Sequence, residues 1–298
     1  MHGQRLFGED GNVHIVGRVR PPAKTSNNIN IDVKLVLVPV TVTDPLSVPV
    51  RGLRREAFQI FENGVEQPIK HFAVNDAPIS LGIVFDASAS MEGKLDKSRA
   101  AVAELFKQSM EGDEYFVVQF NDAPRLLCAF TPDTEAVQTA LMYIRAQGWT
   151  SLLDAVYMSV QNMKRARNTH KALLVISDGV DNNSRFTERE IRDLLREYDV
   201  SIYAVGILGS GVTRRSMKVL SGLAEETGGR MFAVSGVREL PEAMEKVGAA
   251  LRDQYLLGFT PVNGERDGKY RQIAVKVSPP AGSPPLHASW RAGYYAPY

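Results

Sequence analysis

Ser80-Leu81-Gly82-Ile83-Val84-Phe85-Asp86-Ala87-Ser88-Ala89-Ser90-Met91 is an apolar run that stops at one carboxylate, followed by two hydroxyls at alternate positions. A continuous apolar run bounded by polar residues is the pattern of a strand buried on both faces. Residues just past such a strand lie at the carboxyl edge of the sheet, where open α/β folds place their ligands. Oxygen donors without sulfur or imidazole suit a hard divalent cation.

Outward from this stretch, strands and helices alternate. Strand-like segments are expected at 80–86, 114–120, 125–130, 172–177, 200–206 and 230–234. Helical periodicity carries Val102, Leu105 and Phe106, then Val137, Ala140, Leu141 and Ile144, then Leu152, Val156, Val160 and Met163. Thr187 with Glu190 forms a capping box ahead of Ile191, Leu194, Leu195 and Tyr198. Gly228-Gly229 ends the helix of Met217, Leu220 and Ala224, and a last helix over 239–252 buries Met244, Val247 and Leu251. This alternation predicts a doubly wound, mostly parallel sheet with helices on both faces.

The flanks read differently. Residues 1–30 are expected to be a flexible N-terminal segment, with one strand candidate at 12–19. Residues 31–43 are dense in β-branched types, and Pro39 among them predicts an edge position or a bulge. Asn63-Gly64 predicts a hairpin between strands at 57–62 and 65–74. After Asp253, strands are expected at 255–259, 270–277 and 286–290. Neither flank can make a core alone, so 31–77 and 253–298 are expected to pair into a small β-sandwich. An α/β domain over 78–252 would then be inserted where entry near Val74 and exit near Tyr255 lie side by side.

With 35 basic and 34 acidic residues, the chain has no electrostatic footprint for nucleic acid or an anionic membrane. The single cysteine, Cys128, excludes an intramolecular disulfide and a cysteine-based zinc site. No apolar run approaches the ~18–20 residues that span a bilayer, and Met1 to Asp10 lack the apolar core of a secretory signal. The chain is therefore cytoplasmic, or the sequence begins after a removed signal. Nothing in it sets the oligomeric state.

Three oxygen-rich spots fall on the α/β portion: Asp86-Ala87-Ser88-Ala89-Ser90, Gly148-Trp149-Thr150-Ser151-Leu152-Leu153-Asp154, and Ser177-Asp178-Gly179-Val180-Asp181. Taken singly, each has a plain reading. The first is a turn or a helix cap, Thr150 an N-cap, and Asp178 before Gly179 an Asp-Gly turn. Asp181, next to Asn182-Asn183, reads as a solvated loop residue.

Taken together, Asp-x-Ser-x-Ser, Gly-x-Thr-x-Leu and a strand-end Ser-Asp-Gly resemble, in order, the metal-ion-dependent adhesion site of von Willebrand factor type A domains. The flanking Leu35-Val36-Leu37-Val38-Pro39-Val40-Thr41-Val42-Thr43-Asp44, Phe61-Glu62-Asn63-Gly64 and Gly293-Tyr294-Tyr295-Ala296-Pro297 resemble blocks of the bacterial VWFA-related domain proteins. The resemblance implies that Ser88 and Ser90 bind a cation directly and Thr150 directly or through water. Asp86 and Asp178 would act mostly through water. The implied ion is magnesium, alternatively manganese or calcium, with one position open for a carboxylate from a protein partner. It also implies an extracytoplasmic location, and a last helix able to relay a change at the metal, as in integrins.

Trp149 stands where many relatives have a second glycine. It is either a contact for the partner or a ring covering the helix below. The competing function is a magnesium-dependent phosphoryl-transfer or hydrolytic enzyme with Asp86 as nucleophile, although no lysine or general acid recurs in a matching motif. A third reading is a structural interaction domain with a vacant site. The histidines lack metal spacing, and no P-loop, dinucleotide fingerprint or nucleophile elbow is present.

Overall fold

The computed structural model describes residues 35–75, 77–179, 181–208, 217–279, 282 and 284–297. The expected flexible segment 1–30, with its strand candidate, lies outside them. The described residues belong to one compact unit.

The leading strands are β1 (Val36–Thr43), β2 (Phe58–Glu62), β3 (Val65–Gln67) and β4 (Ile69–Asn75). Then come β5 (Ile79–Asp86), α1 (Leu95–Phe106), β6 (Glu114–Phe120), β7 (Pro124–Thr131), α2 (Thr134–Met142) and α3 (Leu152–Met163). Next are β8 (His170–Ser177), α4 (Glu188–Glu197), β9 (Ser201–Ile207), α5 (Lys218–Glu226), β10 (Met231–Val234) and α6 (Leu240–Arg252). The closing strands are β11 (Gln254–Phe259), β12 (Tyr270–Val277), β13 (His287–Trp290) and β14 (Gly293–Tyr295).

A six-stranded sheet in the order β10-β9-β8-β5-β6-β7 forms the centre, parallel except for the edge strand β7. Every residue of β5 is buried, as its unbroken apolar run predicts. Period-two alternation sends Ile79, Leu81, Ile83 and Phe85 into a core shared with α1, α2 and α6. Val84 faces the opposite core, built with α3, α4 and α5. Gly82 faces the same side as Val84, and an added Cβ there would stand 2.2 Å from the Phe116 ring and 2.7 Å from Leu173. The expected capping box at Thr187 and Glu190 is formed.

Each of two four-stranded antiparallel sheets draws on both flanks of the chain: β13-β1-β11-β4 and β14-β12-β2-β3. One apolar cluster joins them, with Val38, Val40 and Val42 from β1 against Phe58 and Ile60 of β2 and Ile273 and Val275 of β12. Tyr255 of β11 is the register partner of Val74 of β4, so the α/β portion leaves and rejoins these sheets at adjacent points.

Two local expectations need correction. The segment 65–74 is not one strand: Pro68 divides it, β3 pairs with β2, and β4 crosses to the other sheet beside β11. Proline removes a ladder donor, so the chain changes sheets there. Pro39 lies in a strand that is interior by order, flanked by β13 and β11. Pairing with β13 begins only at Val40, so Pro39 has a neighbouring strand on one side alone.

The end of α6 is tied down where it meets the antiparallel sheets. The Ala250 carbonyl accepts from Tyr203 Oη at 3.2 Å and Gln254 Nε2 at 3.2 Å. The Arg252 guanidinium donates to Asp113, whose other oxygen accepts from the Ile79 amide at 2.9 Å at the start of β5.

The packing around Gly82 generates a prediction. Gly82→Ala should lower the unfolding free energy by about 1–3 kcal/mol through overpacking. Urea denaturation would measure the loss.

Candidate functional site

The central strands bring three loops to one carboxyl edge. β5 and β8 are parallel neighbours, so the chain leaves them side by side at Asp86 and Ser177. The third loop, between α2 and α3, is drawn in by backbone bonds: Gln147 N donates to Ala87 O at 2.8 Å, and Ala89 N to Gly148 O at 3.1 Å. Gly148 has φ +77°, and a Cβ there would meet the Asp122 carboxylate at 2.5 Å, so the close turn depends on glycine.

Asp86 has no exposed surface. Its Oδ1 accepts from Ser88 N at 2.8 Å, and its Oδ2 from Ser177 Oγ at 2.5 Å. Burial pushes its carboxyl up to about 6 against these bonds, and the nearby Asp178 charge adds to the rise. A short 3₁₀ turn, Ala89–Met91, buries Met91 and places Ser90, itself exposed, beside Ser88 at the same edge. Ser88 Oγ and Ser90 Oγ are 3.0 Å apart, and Ser90 Oγ donates to Asp178 Oδ1 at 2.7 Å.

Thr150 is buried, and its hydroxyl belongs to the same group. A Cβ added at Gly179 would lie 3.3 Å from Thr150 Oγ1 and 3.9 Å from Asp86 Oδ2. Asp86, Ser88, Ser90, Thr150 and Asp178 therefore share one small region, three hydroxyls with two carboxylates. The plain reading of Thr150 as a capping side chain does not hold, because the residue at the N-cap of α3 is Ser151. Ser151 Oγ is buried and has no hydrogen-bond partner. Trp149 projects outward, 64% exposed, with its amide held by Asp122 Oδ1 at 2.8 Å. The ring is therefore largely uncovered.

Four contributors escaped the sequence reading. Asp181 is no free loop residue: its Oδ1 accepts from Leu152 N at 3.0 Å, capping α3 from a separate loop, and from Ser184 Oγ at 2.6 Å. Asn182 Oδ1 accepts from Thr150 N at 2.9 Å. The Ser177 hydroxyl was in view beside Asp178, yet its bond to Asp86 depends on strand adjacency. Lys94 Nζ donates to Asp178 Oδ2 and, at 2.9 Å, to the Ser90 carbonyl; its spacing of four from Ser90 was the available signal.

The donor set is chemically specific. Among the described residues no cluster of three or more His, Cys, Asp or Glu exists, which is the usual composition of zinc and di-carboxylate centres. Hydroxyl oxygens backed by two buried carboxylates suit a hard, oxygen-seeking divalent cation. Asp86 has only neutral donors as direct partners, which leaves a buried anion without a cationic neighbour bonded to it.

Comparison with known proteins agrees with the topology. Among solved structures, the fold is similar to proximal thread matrix protein 1 from the mussel byssus, with a TM-score of 0.51 and 20% identity, over 62% of this chain and 49% of that one. The same mussel protein is also known with a zinc-occupied MIDAS motif, at the same TM-score and identity, matched over 48% of its length. The PilB minor pilin of Streptococcus sanguinis is similar at a TM-score of 0.50 and 12% identity, over 62% of this chain and 63% of that one. Among curated sequences, inter-alpha-trypsin inhibitor heavy chain H4 of Sus scrofa is 26% identical over 145 residues, which is 45% of this chain and only 16% of that relative. The family model for the von Willebrand factor type A domain matches residues 81–246. That span is more than half of the 298 residues, and it carries the sheet edge just described, so the chain belongs to the von Willebrand factor type A domain family.

Proposed function

We propose that this protein is a cation-dependent protein-binding module that captures a partner's carboxylate. The observation that carries the reading is the convergence of Ser88, Ser90 and Thr150 with Asp86 and Asp178 at one sheet edge. The three hydroxyls and the two carboxylates would hold the ion, the carboxylates mainly through water. Neutral oxygens next to the ion leave most of its charge available to an incoming anion. Magnesium is the proposed ion, because it favours oxygen donors and retains water; manganese and calcium are the alternatives to be compared in binding.

The partner's acidic side chain would meet the ion, and the exposed Trp149 ring beside it would supply apolar contact. In this reading residues 78–252 form the binding domain, and 31–77 with 253–298 form a β-sandwich at the opposite end. That arrangement leaves the binding edge free. The mussel matrix protein and the streptococcal pilin suggest an extracytoplasmic setting for similar folds. Among the described residues no helix is long and apolar enough to cross a membrane.

The enzyme reading receives less support. A nucleophilic carboxylate needs an oxygen facing its substrate, whereas Asp86 is fully buried and both of its oxygens accept hydrogen bonds.

The electrostatics of Asp86 point the same way. Ionising it inside the protein is unfavourable, and a bound divalent ion would offset that. Its folded value lies above the ordinary carboxylate range, so its stabilising share is present at low pH and is lost as pH rises through about 6. His170 acts in the opposite direction. Burial, aided by the Arg252 charge, holds it down at about 4, so stability rises with pH as the unfolded-state histidine loses its proton. The two effects overlap, and only a difference between variants isolates Asp86.

Three outcomes are expected. In chelator, the stability of Asp86→Asn relative to wild type should grow between pH 4 and 7 by about 3 kcal/mol; a flat difference in denaturant midpoints would contradict the buried-charge account. Magnesium at about a hundredfold excess over its Kd should stabilise wild type by ~2.7 kcal/mol, and the Ser88→Ala/Ser90→Ala double variant should lose that rise in melting temperature. A pull-down with wild type should recover an acidic partner only without chelator, and Trp149→Ala should weaken its capture by ~2 kcal/mol. Magnesium-dependent phosphatase turnover that disappears in Asp86→Asn would reverse the choice between binding and catalysis.

A further inference from the structure

Lys94 is in an unfavourable place for the helix it precedes. It is the N-cap residue of α1, with no capping hydrogen bond from its side chain. Helix N-termini favour Ser, Thr, Asp or Asn and disfavour positive charge, because the unpaired amides there already present a partial positive charge. The cation therefore has a role other than ending the helix.

Its contacts identify that role. Nζ donates to Asp178 Oδ2 and to the Ser90 carbonyl, while Ser90 Oγ donates to Asp178 Oδ1. Both oxygens of the Asp178 carboxylate, 1% exposed, are thereby engaged, one of them by a full positive charge. Lys94 itself keeps 28% of its side-chain surface exposed, so it can withdraw into solvent without unpacking the core. Asp86 has no such partner. The two acids and the one lysine leave a single uncompensated negative charge where the motif alone would present two.

We propose that Lys94 is a built-in counter-ion that competes with the divalent cation for Asp178. The inference rests on the metal-site reading and adds regulation to it. In the metal-free protein, Lys94 neutralises a carboxylate that would otherwise be buried and unpaired. Toward the cation it acts as a competitor, so binding of the ion alone is weak. When the site is loaded and Lys94 stays close, one positive charge is left over instead of none, and an incoming carboxylate meets a net attraction. The lysine thus moves binding strength away from the isolated ion and toward the ion together with an acidic partner.

The test uses the full chain and Mn2+ alone, followed by calorimetry, with melting in EDTA as a readout independent of metal. Wild type is compared with Lys94→Met, with Lys94→Gln as a neutral variant that retains a donor, and with Lys94→Arg, which keeps the charge. Both neutral variants should bind Mn2+ at least about tenfold more tightly, since the positive charge bonded to Asp178 is gone. In EDTA, Lys94→Met should melt lower than wild type, and Lys94→Arg should stay near wild type in both measurements. Neutral variants that bind Mn2+ no more tightly than wild type would overturn the counter-ion role while leaving the metal site standing. Failure of every protein to bind Mn2+ would overturn the metal-site reading, and this inference with it.

Discussion

A carboxylate with no exposed surface, at the end of a strand buried on both faces, is the constraint that the rest of the structure accommodates. Asp86 has no exposed surface, and groups of the protein itself meet both of its oxygens. One is met by the amide of Ser88, which bends the chain just past the strand; the other is met by the hydroxyl of Ser177 on the adjacent strand. The second bond requires the parallel pairing of β5 with β8, and the packing around that pair favours Gly82, because Phe116 and Leu173 occupy the space a side chain would need. Position, charge state and packing at this edge are therefore one problem with one solution.

β5 also links two sets of polar contacts at its opposite ends. Its first amide is held by Asp113, which also receives Arg252 from the end of α6. Its last residue is Asp86. An eight-residue strand spans about 25 Å at ~3.3 Å per residue, which separates the Asp113 contact at its start from Asp86 at its end. The Ala250 carbonyl, met by Tyr203 and Gln254, anchors α6 at the same base. Any motion of α6 along its axis would have to break these buried polar contacts, which are stronger in a low-dielectric setting and unfavourable to leave unmade. The base of the helix is consequently held by polar contacts as well as by packing.

Most of this architecture was legible in the sequence because its signals are local. The burial of β5, the alternation of strands and helices, the hairpin at Asn63-Gly64 and the capping box at Thr187 each follow from composition within a few residues. The order of the three oxygen-rich motifs also carried information, since strand adjacency at the sheet centre brings Ser90 within 2.7 Å of Asp178 across a separation of 88 residues. What escaped was set by partners distant in sequence. Pro68 looked like an ordinary member of a strand until two sheets competed for its neighbours, and Pro39 was tolerated in an interior strand only because β13 is short. Asp181 had the appearance of a solvated loop residue, yet the amide of Leu152 arrives from another loop to use it. Lys94 violates a local rule of helix termini, and such violations are where a sequence departs from its own fold to serve a site.

The division of labour between hydroxyls and carboxylates bears on why the proposed reading is binding instead of catalysis. A site that activates water needs a base with a free lone pair, or an ion whose charge is spent on a single bound oxygen. Here the acids are the most deeply held members: Asp86 is closed off by Ser88 and Ser177, and Asp178 by Ser90 and Lys94. The groups left to face an ion are neutral, and neutral donors neither accept a proton at ordinary pH nor drain the ion's charge. Lys94 pushes the balance further in the same direction by cancelling part of the negative charge that would hold an ion without help. A site so arranged gains most from an anion brought by another molecule, and it gains little from a water molecule, whose attraction to a positive centre is weaker than a carboxylate's.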